Sequence, residues 1–333
     1  MQAPPFWWHP RPTLAANLLR PLGALYGAVA ERRLGHPGHA PQVPVICLGN
    51  PTVGGAGKTP SALMLARRLQ GLGRHPVFLT RGYGGRLPGP LLVTPRGIAA
   101  DLGDEPLLLA RLAPTVVARD RVAGAGLALQ AGADVIVMDD GFQNPALEKR
   151  LSILVLDAAV GIGNGLCLPA GPMRAPLAPQ LARAQALLLV GDGTAGDEVA
   201  RHGRAKGLAV LRGRLAPDAE AASRLIGRRV LAFAGIGRPD KFFATLRGIG
   251  ALAVRTQPFP DHHAFRAAEA GDLLHRAQAE DLTLVTTEKD AVRLTGTPAG
   301  DILAPHLEVL PVRLVLEPES AETLDTLIAR ALA

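Results

Sequence analysis

An apolar run, Val43–Leu48, leads into Thr52-Val53-Gly54-Gly55-Ala56-Gly57-Lys58-Thr59, and a helical pattern over 58–72 begins on its last residues. Few features constrain a fold as strongly, because a phosphate-binding loop requires a strand before it and a helix after it. The glycines let backbone N–H groups turn inward onto phosphate oxygens, and the start of the helix adds partial positive charge. In this frame Thr52, Val53, Gly54, Gly55, Ala56 and Gly57 form the cradle. Lys58 reaches the β- and γ-phosphates, and the Thr59 hydroxyl ligates Mg²⁺. The segment departs from G-x-x-x-x-G-K-[ST] at its first position, where Thr52 stands for glycine. Such a loop binds a nucleoside triphosphate.

Further apolar runs at 76–80, 115–118, 135–138, 153–156 and 186–190 alternate with helical patterns near 58–72, 104–112 and 120–131. Continuous apolar strands separated by helices indicate a parallel sheet covered on both faces. A second series has strands near 230–234, 251–255, 282–286 and 307–316. The expected class is therefore α/β, a P-loop NTPase-type parallel sheet core with a second, smaller α/β domain. Residues 41–213 are expected to form the first domain, 214–228 a linker and 229–333 the second domain.

Residues 1–40 form a distinct leader. Leu14, Leu18, Leu22, Leu25 and Val29 recur at spacings of three and four and share one helix face. Trp7, Trp8 and nearby arginines suit an interfacial anchor, with indoles at headgroup depth. A helix docked by that face on its own domain fits the residues alone better, since apolar helix faces usually meet protein. No stretch reaches 18 uncharged apolar residues, so no spanning helix is expected. Lys and Arg exceed Asp and Glu by 36 to 29, a balance that suits an anionic partner. Aromatics at 4% argue against a stacking platform for single-stranded nucleic acid.

Val135–Asp140 reads as a strand ending in Asp139 and Asp140, where an acid holds Mg²⁺ opposite the loop threonine. Asp104, with Glu105 beside it, sits where a loop enters a helix; a helix cap and a catalytic base fit equally well. His262 and His263 follow a strand of the second domain and fit a metal site, a surface loop or a proton carrier. Arg81 and Arg174 follow apolar strands at the edge where α/β proteins bind ligands, and a planar guanidinium suits phosphate there.

Taken together the motifs resemble the tetraacyldisaccharide 4'-kinase family. The matching pieces are 49–60, Thr80-Arg81-Gly82-Tyr83, Gly103-Asp104-Glu105-Pro106, Asp139-Asp140-Gly141-Phe142-Gln143, 168–174, 233–237, Phe259-Pro260-Asp261-His262-His263 and Thr286-Thr287-Glu288-Lys289-Asp290. The resemblance implies transfer of the ATP γ-phosphoryl group to the 4'-hydroxyl of a tetraacyldisaccharide 1-phosphate, the lipid A precursor, with Mg²⁺. It implies Asp104 as base with His262 as its partner, Asp139 and Asp140 as metal and water-ordering acids, and Asn50, Arg81, Glu105, Gln143 and Arg174 as substrate contacts. It also implies a peripheral place on the cytoplasmic face of the bacterial inner membrane, with the leader at the lipid surface and no nucleic-acid partner. Two positions depart from the family pattern: Asn144 stands where histidine is usual, and Ala175 where glutamate is typical. A membrane-partitioning ATPase would carry a lysine where Val53 stands, and a guanine-reading motif would not have Lys289 and Asp290 adjacent.

Overall fold

The structure is a computed structural model that describes residues 3–55, 57–94 and 97–333, apart from the side chain of Ala253. Eight strands come first: β1 (Val45–Gly49), β2 (Pro76–Thr80), β3 (Leu91–Leu92), β4 (Thr115–Val117), β5 (Val135–Asp139), β6 (Leu151–Asp157), β7 (Ala186–Val190) and β8 (Ala209–Pro217). Then follow β9 (Arg229–Ala234), β10 (Leu252–Pro258), β11 (Thr283–Thr287) and β12 (Leu307–Leu310), and last β13 (Val312–Leu316). A nine-stranded sheet runs β13-β8-β7-β6-β1-β5-β2-β4-β3, and a four-stranded sheet runs β10-β9-β11-β12. The small sheet is parallel throughout; in the large one only β3 and β13 pair antiparallel.

Strand β1 lies at the centre, parallel to β5 on one side and β6 on the other. All five of its residues are buried, as a strand covered on both faces requires. Val45 and Cys47 enter one core with Ile136 and Met138, whereas Ile46 and Leu48 enter the other with Leu65, Phe78 and Val137. The pleat thus sends alternate side chains to opposite layers. This order puts the C-terminal ends of β1, β5 and β6 side by side, the usual edge for ligands in such sheets.

The second domain is smaller than the sequence suggests. The apolar run 307–316 is two strands, broken at Pro311, and β13 returns to the large sheet to pair antiparallel with β8. The closing helix Pro318–Leu332 follows it and buries Leu324 and Ile328 in the first domain's core. Each of those burials is worth about 1.5–3 kcal/mol, so residues 312–333 belong with the first domain. Residues 214–228 are not an open linker: β8 runs through Pro217, and a helix, Ala219–Leu225, capped by Asp218, packs on the small sheet.

The leader does not dock by its leucine face, the arrangement that the residues alone favour. The helix Leu14–Leu34 docks through Ala16, Gly23, Gly27 and Leu34. A Cβ on Gly23 would lie 2.8 Å from the Cys167 carbonyl, so the close approach needs glycine. The leucine face points outward, with Leu14 79% and Leu18 75% exposed, and Leu22, Leu25 and Val29 alongside. Among the described residues no helix is long and apolar enough to cross a membrane.

Candidate active site

The phosphate loop hangs between β1 and the helix Lys58–Gly71. Gly57 caps that helix at φ 85°, a left-handed conformation that glycine adopts freely. The loop is stitched to the strip 166–174: Val53 N–H donates to the Pro172 carbonyl at 2.9 Å, and Arg174 N–H to the Pro51 carbonyl at 2.9 Å. Thr52 bridges to Met173. Ala56 lies outside the described residues, and Gly55 is open on its exposed side.

Two of the expected substrate contacts also brace this loop. Asn50 Nδ2 donates to the Gly54 carbonyl at 3.1 Å, and Gln143 Nε2 donates to the Asn50 carbonyl at 2.7 Å and to Gln180 at 2.9 Å. The amide nitrogens are engaged with protein, whereas Asn50 Oδ1 is buried without a hydrogen-bond partner among the described residues.

Lys58 and Thr59 open the helix, both buried. Register places Leu48 of β1 beside Asp139 of β5, so the acidic tip stands next to the loop. The following Asp140 takes φ 54° and turns its carboxylate to Arg174 at 2.7 Å and Lys58 at 3.6 Å. Burial alone would raise Asp140, but those two cations outweigh it and hold it below the ordinary carboxylate range.

Asp139 differs. It is fully buried, and among the described residues neither of its carboxylate oxygens has a hydrogen-bond partner. Burial drives its pKa upward, with repulsion from Glu105 and Asp140 added, against the pull of Lys58 and Lys289. A buried carboxylate without partners is costly unless a cation satisfies it. Asp139 and the Thr59 hydroxyl therefore fit a divalent cation at the loop. Among the described residues no group of three or more His, Cys, Asp or Glu forms a metal site. That suits Mg²⁺, which takes few protein ligands and keeps water and substrate phosphates.

Asp104 opens the helix Asp104–Ala110 after Gly103, and a Cβ on Gly103 would lie 2.4 Å from the Tyr83 carbonyl. Its side chain is 3% exposed, and Oδ1 accepts from the Glu105 N–H in the helix's first turn at 3.0 Å. Oδ2 faces the second domain, where His262 Nδ1 lies at 3.3 Å and Arg293 Nε donates at 3.0 Å. Burial works to raise Asp104, yet the His262 hydrogen bond and the charges of Lys289 and Arg293 pull it well below the usual carboxylate range. The same hydrogen bond raises His262, against its partial burial. His262 stands at φ 59°, and its N–H donates to the Gly235 carbonyl at 3.0 Å. Strained non-glycine backbone of this kind persists where the surroundings impose it.

The two histidines diverge. His263 turns to Glu269 at 2.9 Å and stacks on Phe259, so the pair shares no metal. Glu105 is held by Lys289 at 2.9 Å, and Arg81 lies exposed at the end of β2. Asn144 is a turn residue whose Oδ1 accepts from Ala146 N–H. Ala175 is fully buried in the core, where a carboxylate would need a partner.

Sequence reasoning passed over Arg293 and the contacts of Asp157 with the second domain. Arg293, 7% exposed, also donates to Asp290 at 2.8 Å and is locked in place. Asp157, at the end of β6, accepts from Arg238 at 2.8 Å and Lys241 at 3.1 Å across the domains. In these pairs, as in Asp104–Arg293 and Glu105–Lys289, the first domain supplies the carboxylate and the second the cation. The sequence signal for Arg293 was its place one helical turn beyond Asp290 in the matched motif.

A model of the family described as tetraacyldisaccharide-1-P 4'-kinase (LpxK) matches residues 15–330. A protein named tetraacyldisaccharide 4'-kinase from Methylobacterium sp. (strain 4-46) is 58% identical over 333 residues, 100% of this chain and 98% of its own length. One of the same name from Xanthobacter autotrophicus is 54% identical, covering 99% and 97%. The crystal structure of LpxK from Aquifex aeolicus in complex with ATP superposes with a TM-score of 0.71 at 27% identity, over 96% of this chain and 99% of that one.

Proposed function

The chain belongs to the tetraacyldisaccharide-1-P 4'-kinase family, and from that premise we propose how its residues divide the work of the reaction. The activity is transfer of the ATP γ-phosphate to the 4'-hydroxyl of tetraacyldisaccharide 1-phosphate, forming lipid IVA in lipid A biosynthesis. The observation that carries the assignment of roles is the Asp104–His262 contact, 3.3 Å across the cleft beside the phosphate loop.

The loop's N–H groups and Lys58 bind and orient the ATP phosphates, and Lys58 leaves Asp140 for them as charge develops. Arg174, already 2.7 Å from Asp140, supplies a second cation on that side. Thr59 and Asp139 would hold a Mg²⁺ ion, which would neutralise phosphate charge when bound, and Asp140 would order water in the same region. Asp104 aligns the 4'-hydroxyl. Its low proton affinity suits a loose transfer, in which the attacking oxygen becomes acidic only as it bonds to phosphorus. His262 Nδ1 faces Asp104 and keeps the carboxylate aimed; as the neutral tautomer protonated on Nε2 it accepts at Nδ1 the proton that Asp104 takes from the hydroxyl, and the imidazolium releases its Nε2 proton to water. Closure of the second domain excludes water from the transfer.

The outward leucine face supports a peripheral place at the inner membrane's cytoplasmic surface. An acceptor with four acyl chains stays in the bilayer, so the enzyme must come to it. The face buries apolar area in lipid, and the nearby arginines meet anionic headgroups. The test is transfer of labelled γ-phosphate to detergent-dispersed tetraacyldisaccharide 1-phosphate by Asp104→Asn, with Lys58→Ala as control. Near-normal turnover in Asp104→Asn would remove Asp104 from the role of base.

A further inference from the structure

The two tryptophans of the leader do not lie with the leucine face. They sit in a short 3-10 turn, Pro5–Trp8, half-buried against the first domain. The Trp7 indole N–H donates to the Pro169 carbonyl at 3.0 Å, and the Trp7 carbonyl accepts from Asn164 N–H at 2.8 Å. Asn164 Nδ2 also donates to the Ala170 carbonyl at 2.9 Å, so the turn is pinned to the strip 166–174.

The pinned turn carries Trp8 onto the phosphate loop. A Cβ built on Gly54 has two described neighbours within 4 Å, the indole carbons Cζ2 and Cη2 of Trp8 at 3.9 and 4.0 Å. Gly55, next along, meets nothing within 4 Å. Gly54 itself stands at φ 110°, a conformation with many alternatives for glycine. An aromatic ring one methyl group's width from that glycine bounds the space into which the loop can move on this side.

The strip 166–174 has three dependants. It holds the turn through Pro169 and Ala170, the loop through Pro172 and Arg174, and the helix Leu14–Leu34 through Cys167 and Ala170, which approach Gly23 and Gly27. The lipid-facing helix and the phosphate loop therefore share one support, with Trp8 as a second link between leader and loop.

We propose that Trp8 is a positioning residue of the phosphate loop, through which the seated leader holds that loop in its nucleotide-binding shape. The proposal rests on the reading of this loop as the ATP site. It moves the leader from a membrane attachment alone to a part of the kinase machinery.

Trp7 and Trp8 are the two tryptophans of the chain, and the Trp7 indole pins the turn, so the Trp8 signal is read as the difference between the unsubstituted chain and Trp8→Phe. Both full-length proteins are titrated with Mg-ATP while emission and binding heat are followed in parallel. The expected result is a saturable change in that difference at the calorimetric Kd. Trp8→Ala is expected to raise the KM for ATP about tenfold, with the melting temperature little changed, and Trp8→Phe to restore it to within about threefold. A difference that stays flat while calorimetry reports saturation overturns the proposal. So does a Trp8→Ala protein that melts lower with an unchanged KM for ATP, the signature of packing alone. Absence of ATP binding in the unsubstituted protein would overturn the kinase reading itself, and the proposal with it.

Discussion

Arg293→Met keeps most of the side chain's length and apolar stem while deleting the guanidinium. That group donates through Nε and Nη2 to Asp104, and through Nη1 to Asp290 and the Gly235 carbonyl. Arg293 is 7% exposed and Asp104 3%, so water screens the pair little. Removing one partner of such a pair leaves uncompensated buried charge and costs about 3–5 kcal/mol. The loss need not fall on folding, because the domains can part and rehydrate Asp104. Against that opening stand Glu105–Lys289 and the Asp157 pairs with Arg238 and Lys241, partly exposed contacts of about 0–1 kcal/mol each. Closure should therefore fail first. At about 1.4 kcal/mol per tenfold, a loss of about 3 kcal/mol is roughly a hundredfold in kcat/KM. The assay is transfer of labelled γ-phosphate across a pH series, with circular dichroism to confirm folding. Asp104 must be ionised to accept a proton, and its depressed pKa keeps the acid limb of the wild-type profile well below neutrality. Without Arg293, burial weighs more and that limb moves upward. Activity within about threefold of wild type, with an unmoved acid limb, would refute the clamp.

Lys58→Ala should cut transfer by roughly 10²–10³-fold while the protein stays folded, checked by labelled transfer beside circular dichroism. Asp139→Asn should abolish the thermal stabilisation by Mg-ATP yet make the apo protein no less stable. Since Asp139's folded pKa is raised above its unfolded value, the unsubstituted apo protein loses stability as pH climbs from the unfolded carboxylate range through that raised value. The asparagine variant should lose that slope in a melting series over pH. His262 is also raised, so the stability from its charged pairing with Asp104 is fully present below the ordinary histidine pKa and fades as pH rises through the raised value. Turnover, which uses the neutral imidazole, should rise over the same window, and His262→Gln should flatten both curves. Replacing Leu18 and Leu22 together by Ser should weaken binding to anionic vesicles by about tenfold or more per leucine, without lowering the melting temperature; undiminished vesicle sedimentation would detach the helix from the lipid surface.

Much of the site was legible because its chemistry is local. The strand, the glycine loop and Lys58-Thr59 are contiguous, and the apolar run ending at Asp139 announces an acid at a strand tip. Strand β8 escaped notice because Arg212, Gly213 and Arg214 interrupt its apolar pattern near the sheet's end. The apolar run 307–316 reads as one strand, since nothing nearby tells that Pro311 sends β13 to another sheet. Asn50 and Gln143 belong to recognisable motifs, but which groups their amides meet is decided by how the loops stack.

The sequence by itself indicated the helices near 58–72, 104–112 and 120–131, the apolar face of the leader and the side chains with the chemistry of phosphoryl transfer, because periodicity and short motifs are properties of neighbours along the chain. Only the tertiary structure decided what those faces and charges meet. The leader's glycines, not its leucines, found the protein, since close backbone approach at Cys167 is possible only there. Arg293 reaches Asp104, and Lys289 reaches Glu105, across separations of 189 and 184 residues. Such pairings depend on how two sheets face each other across a cleft, a relation that no local pattern encodes.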